Sequence, residues 1–498
     1  MRQHRWLAGA RMLMAGWLIS ACYPCALSQE VDGLSRSNMS TVRSLTLNEK
    51  ADGYRGIWYS IRQSWKGATY KYSGGLGTYP AKHQEFAVYS PEANKTFFCF
   101  GGAAEDNDIH LLHMVSYYDH ETGVVPRPTI LLDKQTSDAH DSPVISLDQQ
   151  GYIWVFSPSH GRVRSSYVHR SVEPWSVDKF QSIYPYYEDN GRRRFVDNFS
   201  YVQVFNTPQA GFSCFFTRYA DESNRTSFFM TSKDGVTWNR RQRLAAIQQG
   251  HYQVAAATEG KIGTMMNYHP DGSGIDGRTN LYYFESTDAG QSWHAASGTP
   301  VSLPLREVHN EALVRDYQSE QQLVYLKDLV FDEQGSPVLL FLTSQHPSQG
   351  PDGDPRTWTL AKWVDSQWKF SEVTTSDHNY DCGSLDIRTT PWKLIAPTDP
   401  GPYPGFAGGD MVQWESDDRG DTWRRVQSLT NGFGGNHTYC RLAANAHPDF
   451  HALWADGDPT KISSSNIYFC NAAGDVFRLP SHMDSDFVKP EKMEPVAP

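Results

Sequence analysis

The chain has 498 residues, a formal net charge of −11 and only 20% charged residues, with 15 Trp, 26 Tyr and 24 Phe beside 39 Gly and 28 Pro. This aromatic, turn-rich composition excludes a disordered chain and fits an all-β protein with a large core. The acidic balance argues against nucleic acid as the main partner, because phosphate binding leaves a basic footprint. It leaves room for an acidic sugar polymer, since the field in a cleft follows the nearest charges more than the total.

At the start of the chain, Arg2, Arg5 and Arg11, the apolar run from Met12 to Ala21 and the small residues after it predict a signal peptide over residues 1–28, and hence a secreted protein. The run is too short to span a membrane. Cleavage after Ser28 is one ending and lipid attachment at Cys22 is the other. The five later cysteines, Cys99, Cys214, Cys382, Cys440 and Cys470, are odd in number and widely spaced, unlike a disulfide scaffold. Over residues 45–480 a pattern of polar residue, apolar strand, Gly turn and apolar strand returns about every 50–75 residues. The units begin near His83, His140, Tyr201, Tyr252, Tyr325, Asp381 and His437. Hairpins are expected around Gln150-Gly151 and Gln334-Gly335. The segments Ser232 to Trp238, Ser286 to Trp293 and Ser416 to Trp423 resemble Asp-box repeats of sialidase-type propellers, where the Asp caps a turn and the Trp fills the gap between sheets. Seven units predict a seven-bladed β-propeller, expected to be a monomer. Its circle would close by pairing of residues 54–60 with residues 475–479, leaving no open sheet edge. Residues 481–498, rich in Pro and charge, predict a flexible tail.

In such a ring the first residue of each inner strand and the last residue of the next strand reach one face. Those positions hold His83, His140, Tyr201, Tyr252, His378 and His437 at strand starts, and His160, Arg218, His269 and His346 at strand ends. Chemistry is therefore expected on that face.

Several stretches then carry a specific likeness: Lys71 to Tyr79, Lys82-His83, Leu112 to His120, Asp138-Ala-His-Asp-Ser-Pro143 and Ser157-Pro-Ser-His-Gly161. They resemble the BNR-4 group of secreted propellers, which includes ulvan lyases of polysaccharide lyase families 24 and 25. The resemblance implies β-elimination on a sulfated, uronic-acid-containing polysaccharide such as ulvan, leaving 4,5-unsaturated uronate ends. That reaction requires a base at C5, an acid at the glycosidic oxygen and a cation on the C6 carboxylate. His140 is the expected base, because an imidazole titrates near neutrality. Tyr201 is the expected acid, or the base for the opposite C5 epimer, and Arg218 the carboxylate clamp. His160 and Tyr252 would complete substrate binding, with Lys82 and His83 as further sugar or sulfate contacts.

Catalysis by this route requires no cofactor. A structural zinc held by His309, Cys382 and Cys440 is nevertheless an expectation, since thiolate and imidazole suit that ion. Two other readings stand beside the lyase: an exo-rhamnosidase-like glycoside hydrolase on the same ring, and a non-catalytic sugar-binding propeller. The three arginines and Tyr–Glu pair of sialidases are missing from the strand ends, and no inward pair of carboxylates of the glycosidase type stands out.

Overall fold

Short apolar runs alternate with turns whose chemistry is written in the chain. Asp148 accepts hydrogen bonds from the Gln150 and Tyr152 amides and from the Trp154 indole, which closes the hairpin between Val144–Leu147 and Ile153–Ser157. Asp332 caps the turn before Pro337–Ser344 in the same way, through the Gln334 and Ser336 amides. The computed structural model describes residues 46–495 apart from 61–72, 75, 77–82, 105–106, 163, 275, 349–352, 354 and 462.

The described chain is all-β, with one short 3-10 turn at Ala139–Asp141. Five separate sheets each contain four sequential antiparallel strands, beginning with Val144–Leu147, Ser200–Thr207, His251–Ala257, Leu323–Phe331 and Ser384–Asp386. The first and last runs are not separate. The run that starts at Ala87–Ser90 and the run that starts at Asn436–His447 belong to one thirteen-stranded sheet, joined by a parallel pairing of Val88 with Ala444. The architecture is propeller-like, but the pairing does not give the seven separate blades expected.

Closure also differs from expectation. Gly56–Ser60 pairs with Ser463–Ser465, not with residues 475–479, because Val476–Arg478 already has a strand on either side, Ile467–Cys470 and Glu491–Met493. The tail expected to be flexible from residue 481 is therefore ordered by pairing, with Phe487–Val488 on Val125–Pro126 and ion pairs from Arg478 to Glu491 and from Lys492 to Asp475. Residues 1–28, including Cys22, lie outside the described residues. Among the described residues no helix is long and apolar enough to cross a membrane.

The three Asp-box segments behave as local devices. Asp234, Asp288 and Asp418 accept backbone amides across their turns. Trp238 and Trp293 are buried, Trp293 against Phe229 and Phe284 at 5.3 Å between ring centres.

Candidate active site

The turn Ala139–Asp141 stands where the second sheet's inner strand begins, and two carboxylates build it. Asp138 caps it by accepting the His140 amide at 3.1 Å, and the same oxygen accepts His140 Nδ1 at 2.5 Å. Its second oxygen accepts His160 Nδ1 and an Arg164 Nη2, both at 2.8 Å. Asp141, fully buried, takes the His160 amide at 2.8 Å and both Nε and Nη2 of Arg164, with Lys134 Nζ at 3.2 Å. The segment after Ile153–Ser157 is thereby fastened to the start of Val144–Leu147. The consequence is a pair of imidazoles stacked at 3.7 Å and nearly parallel, at 8°.

Electrostatics follow from this frame. Burial opposes ionisation of Asp138, yet His140 and His160 overcome it and hold the carboxyl well below the usual carboxylate range. Burial pushes His140 below the usual histidine value, against the opposing pull of Asp138, so its neutral form prevails near neutrality. Because Nδ1 donates to Asp138, Nε2 is the basic nitrogen. Burial also lowers the Lys134 ammonium, partly offset by Asp141.

Tyr201 enters from the neighbouring sheet. Its backbone is left-handed, at φ 49°, within a bulge of Ser200–Thr207, a conformation that costs energy and is concentrated at functional positions. Ser200 anchors the bulge by donating to Ser159 O and accepting the Gly161 amide. The Tyr201 ring then lies 5.5 Å from His140 and 5.9 Å from His83. Its hydroxyl meets those of Tyr219 at 3.1 Å and Tyr252 at 3.5 Å. Tyr252 belongs to His251–Ala257, so three sheets meet at one point.

Cations border the tyrosines. The Arg225 guanidinium lies 5.7 Å from the Tyr219 ring and 5.5 Å from the Tyr252 ring, and it forms no ion pair with a carboxylate among the described residues. Arg278 lies 4.4 Å from Tyr252 and donates to the Tyr380 hydroxyl at 2.7 Å. His269, 5.1 Å from Tyr252, is kept neutral by burial and by both arginines.

Of the residues expected from sequence, the structure thus brings together His83, His140, His160, Tyr201 and Tyr252. Lys82 lies outside the described residues. Arg218 is not part of the group: its guanidinium turns to Asp197 at 3.4 Å. The reason is strand alternation, since Gly211–Tyr219 ends one residue later than expected and successive side chains take opposite faces. Tyr219 faces the site, and Arg225 is its cross-strand partner. The expected zinc set also fails. The His309 side chain is 73% exposed and bound to Asp316, whereas Cys382 and Cys440 are buried. Two other groups among the described residues hold ligand atoms close enough for a metal ion, Asp138 with His140 and His160, and His120 with His447 and Asp449. In the first of these, the carboxylate already satisfies both Nδ1 atoms.

Asp138, Arg164, Tyr219, Arg225 and Arg278 were missed as functional candidates. Asp138 sits inside the quoted motif, and Arg225 was legible only through the exact register of its hairpin.

The fold has solved counterparts. A polysaccharide lyase of family PL25, an ulvan lyase, superposes with a TM-score of 0.62 at 15% identity, over 85% of this chain and 96% of that one. A PL25 ulvan lyase bound to -[GlcA(1-4)Rha3S]- gives 0.62 at 16% identity, over 86% and 96%. An ulvan lyase from Nonlabens ulvanivorans is 21% identical over 403 residues, spanning 72% of this chain and 80% of that protein. The model of the BNR repeat-containing family matches residues 113–376, more than half of the sequence, and the chain belongs to that family.

Proposed function

We propose that the chain is an exported polysaccharide lyase that cleaves a sulfated uronate polymer of the ulvan type by β-elimination. We count its ring as seven blades, taking each end run of the thirteen-stranded sheet as one. The observation that carries the reading is the Asp138-bound imidazole pair facing the joined hydroxyls of Tyr201, Tyr219 and Tyr252, with the Arg225 cation beside them. The likeness to the ulvan lyases supports the substrate class.

In this reading the C6 carboxylate rests against Arg225 and His160, which draws charge from C5 and stabilises the enolate-like anion. His140 Nε2 takes the C5 proton while Asp138 accepts from its Nδ1–H and steadies the imidazolium that forms. The electron pair becomes the C4–C5 double bond and the C4–O bond breaks. Tyr201 gives its proton to the leaving oxygen, and its neighbouring hydroxyls and Arg225 support the phenolate until solvent restores it. No water molecule is consumed. The carboxylates that hold the imidazole pair, Asp138 and Asp141, are engaged by His140, His160, Arg164 and Lys134, an arrangement unlike a glycosidase pair.

The test is digestion of ulvan and other uronate polymers in heavy-oxygen water, followed by ultraviolet absorbance and mass spectrometry. The expected products absorb, lack the heavy label and are lighter by one water than hydrolysis products. Labelled, non-absorbing reducing ends would establish hydrolysis instead.

A further inference from the structure

At the strand ends opposite the candidate active site, a second cluster spans the seam between the first and last runs of the ring. His447 ends the inner strand Asn436–His447, and Asp449 sits in the turn that follows. His120 comes from the other side of the seam, just after Asn107–Asp119. The inner strands that face each other across the seam share a single parallel register, Val88 with Ala444, and Gly56–Ser60 bridges the two runs elsewhere by pairing with Ser463–Ser465 and Gly102.

The three side chains converge. The His120 and His447 rings lie 3.9 Å apart. Asp449 Oδ2 is 4.0 Å from His120 Nδ1 and 3.7 Å from His447 Nδ1, and one ligand atom from each residue falls within 4.8 Å of the others. The two carboxylate–imidazole separations are a little wider than the edges of a tetrahedron drawn at zinc–ligand bond lengths, so a small inward movement of the exposed Asp449 brings its oxygen to bonding range.

His120 points to a ligand independently of the cluster. Its side chain is 1% exposed, and Nδ1 is buried without a hydrogen-bond partner. Nε2 lies 2.8 Å from the hydroxyl of the fully buried Thr96. With Nε2–H donated to Thr96, the lone pair stays on Nδ1, the arrangement by which an outer hydrogen bond orients a metal-binding histidine. An unpaired buried nitrogen is costly in an apolar box, and the box here is Tyr89 and Tyr118, at 5.2 and 5.0 Å from the ring. His447 Nδ1 accepts only a long bond, 3.2 Å, from the Asp449 amide, which an ion could replace.

We infer that His120, His447 and Asp449 form a binding site for a divalent transition metal of the zinc type, which staples the first and last runs of the ring across their seam. Two imidazoles and one carboxylate match the preference of zinc, and water would complete the tetrahedron. The role is structural, since the cluster lies at the far strand ends from His140 and Tyr201, and it is independent of the proposed lyase chemistry.

The experiment uses the full mature protein, stripped with a chelator and titrated with Co2+ and Zn2+. The expected results are a tetrahedral Co2+ absorption band and a melting temperature raised by about 3 °C at a hundredfold excess of Zn2+ over its dissociation constant. His447→Ala should remove one equivalent of Co2+ and abolish the shift. In case that change disturbs packing, Asp449→Ala provides a surface variant that should keep the metal-free melting temperature and weaken Zn2+ binding at least tenfold. Wild-type protein that binds no equivalent of Co2+, or an Asp449→Ala variant that binds both ions as tightly as wild type, would overturn the inference.

Discussion

Replacing Arg225 by Gln removes the guanidinium beside the tyrosine cluster while keeping most of the side chain's length. Arg225 sits 5.7 and 5.5 Å from two aromatic rings and has no carboxylate partner among the described residues, so its charge is available to a substrate anion. Losing one preorganised donor aimed at charge that develops in the transition state costs about 3–4 kcal/mol. At 1.36 kcal/mol per decade this is roughly a 10²–10³-fold fall in kcat. The cost to folding is smaller, since two cation–π contacts are worth about 1–2 kcal/mol together. The assay is the initial rate of ultraviolet absorbance on ulvan across a range of substrate concentrations, with a melting curve for each variant. Arg218→Gln is the companion variant, expected to keep kcat near wild type because its guanidinium faces Asp197. A kcat for Arg225→Gln within about threefold of wild type would refute the assignment, as would a large loss confined to Arg218→Gln.

Asp138→Asn should lower kcat by about 10²–10⁴ with a smaller change in KM, since it removes the acceptor that fixes the basic nitrogen of His140. An unchanged kcat would take the carboxylate out of the mechanism. Gly250 has φ 102°, and a Cβ there would lie 2.2 Å from Arg225 O, so Gly250→Ala should cost more than about 1 kcal/mol, visible as a lower denaturation midpoint, and should reduce activity by displacing Arg225. Stability should also depend on acid. His169, His251, His437 and His451 are each pushed to about 4 by burial, so below pH 6.5 the unfolded chain binds protons that the folded chain refuses. The stability held above pH 6.5 is therefore lost progressively towards pH 4, and a denaturation midpoint flat over that interval would contradict the neutral buried state of these rings.

Much of this architecture could be read from local chemistry. Asp148, Asp332 and the Asp-box aspartates define turns through bonds to amides a few residues away, and such short-range signals survive in sequence. His140, His160, Tyr201 and Tyr252 were legible for a similar reason, because strand starts and ends of successive units share a face. Arg218 was misread because a single residue of register exchanges the two faces of a strand, and the place where Gly211–Tyr219 stops depends on its partner strand. The closing pair was misread because the choice between Ser463–Ser465 and Val476–Arg478 depends on which strands the rest of the chain has already occupied. The zinc expectation linked three residues by their order in the repeats, whereas His309 stands on the surface and the two cysteines lie in the interior.

In the proposed reaction the Asp138-bound imidazole of His140 removes the C5 proton. The most direct test of that step is the rate of ultraviolet absorbance on ulvan for wild type and His140→Ala, measured side by side with their melting curves. Wild type should give strong absorbance, and the variant, melting nearly as wild type does, none above background. Turnover by the variant within tenfold of wild type would contradict that role for His140.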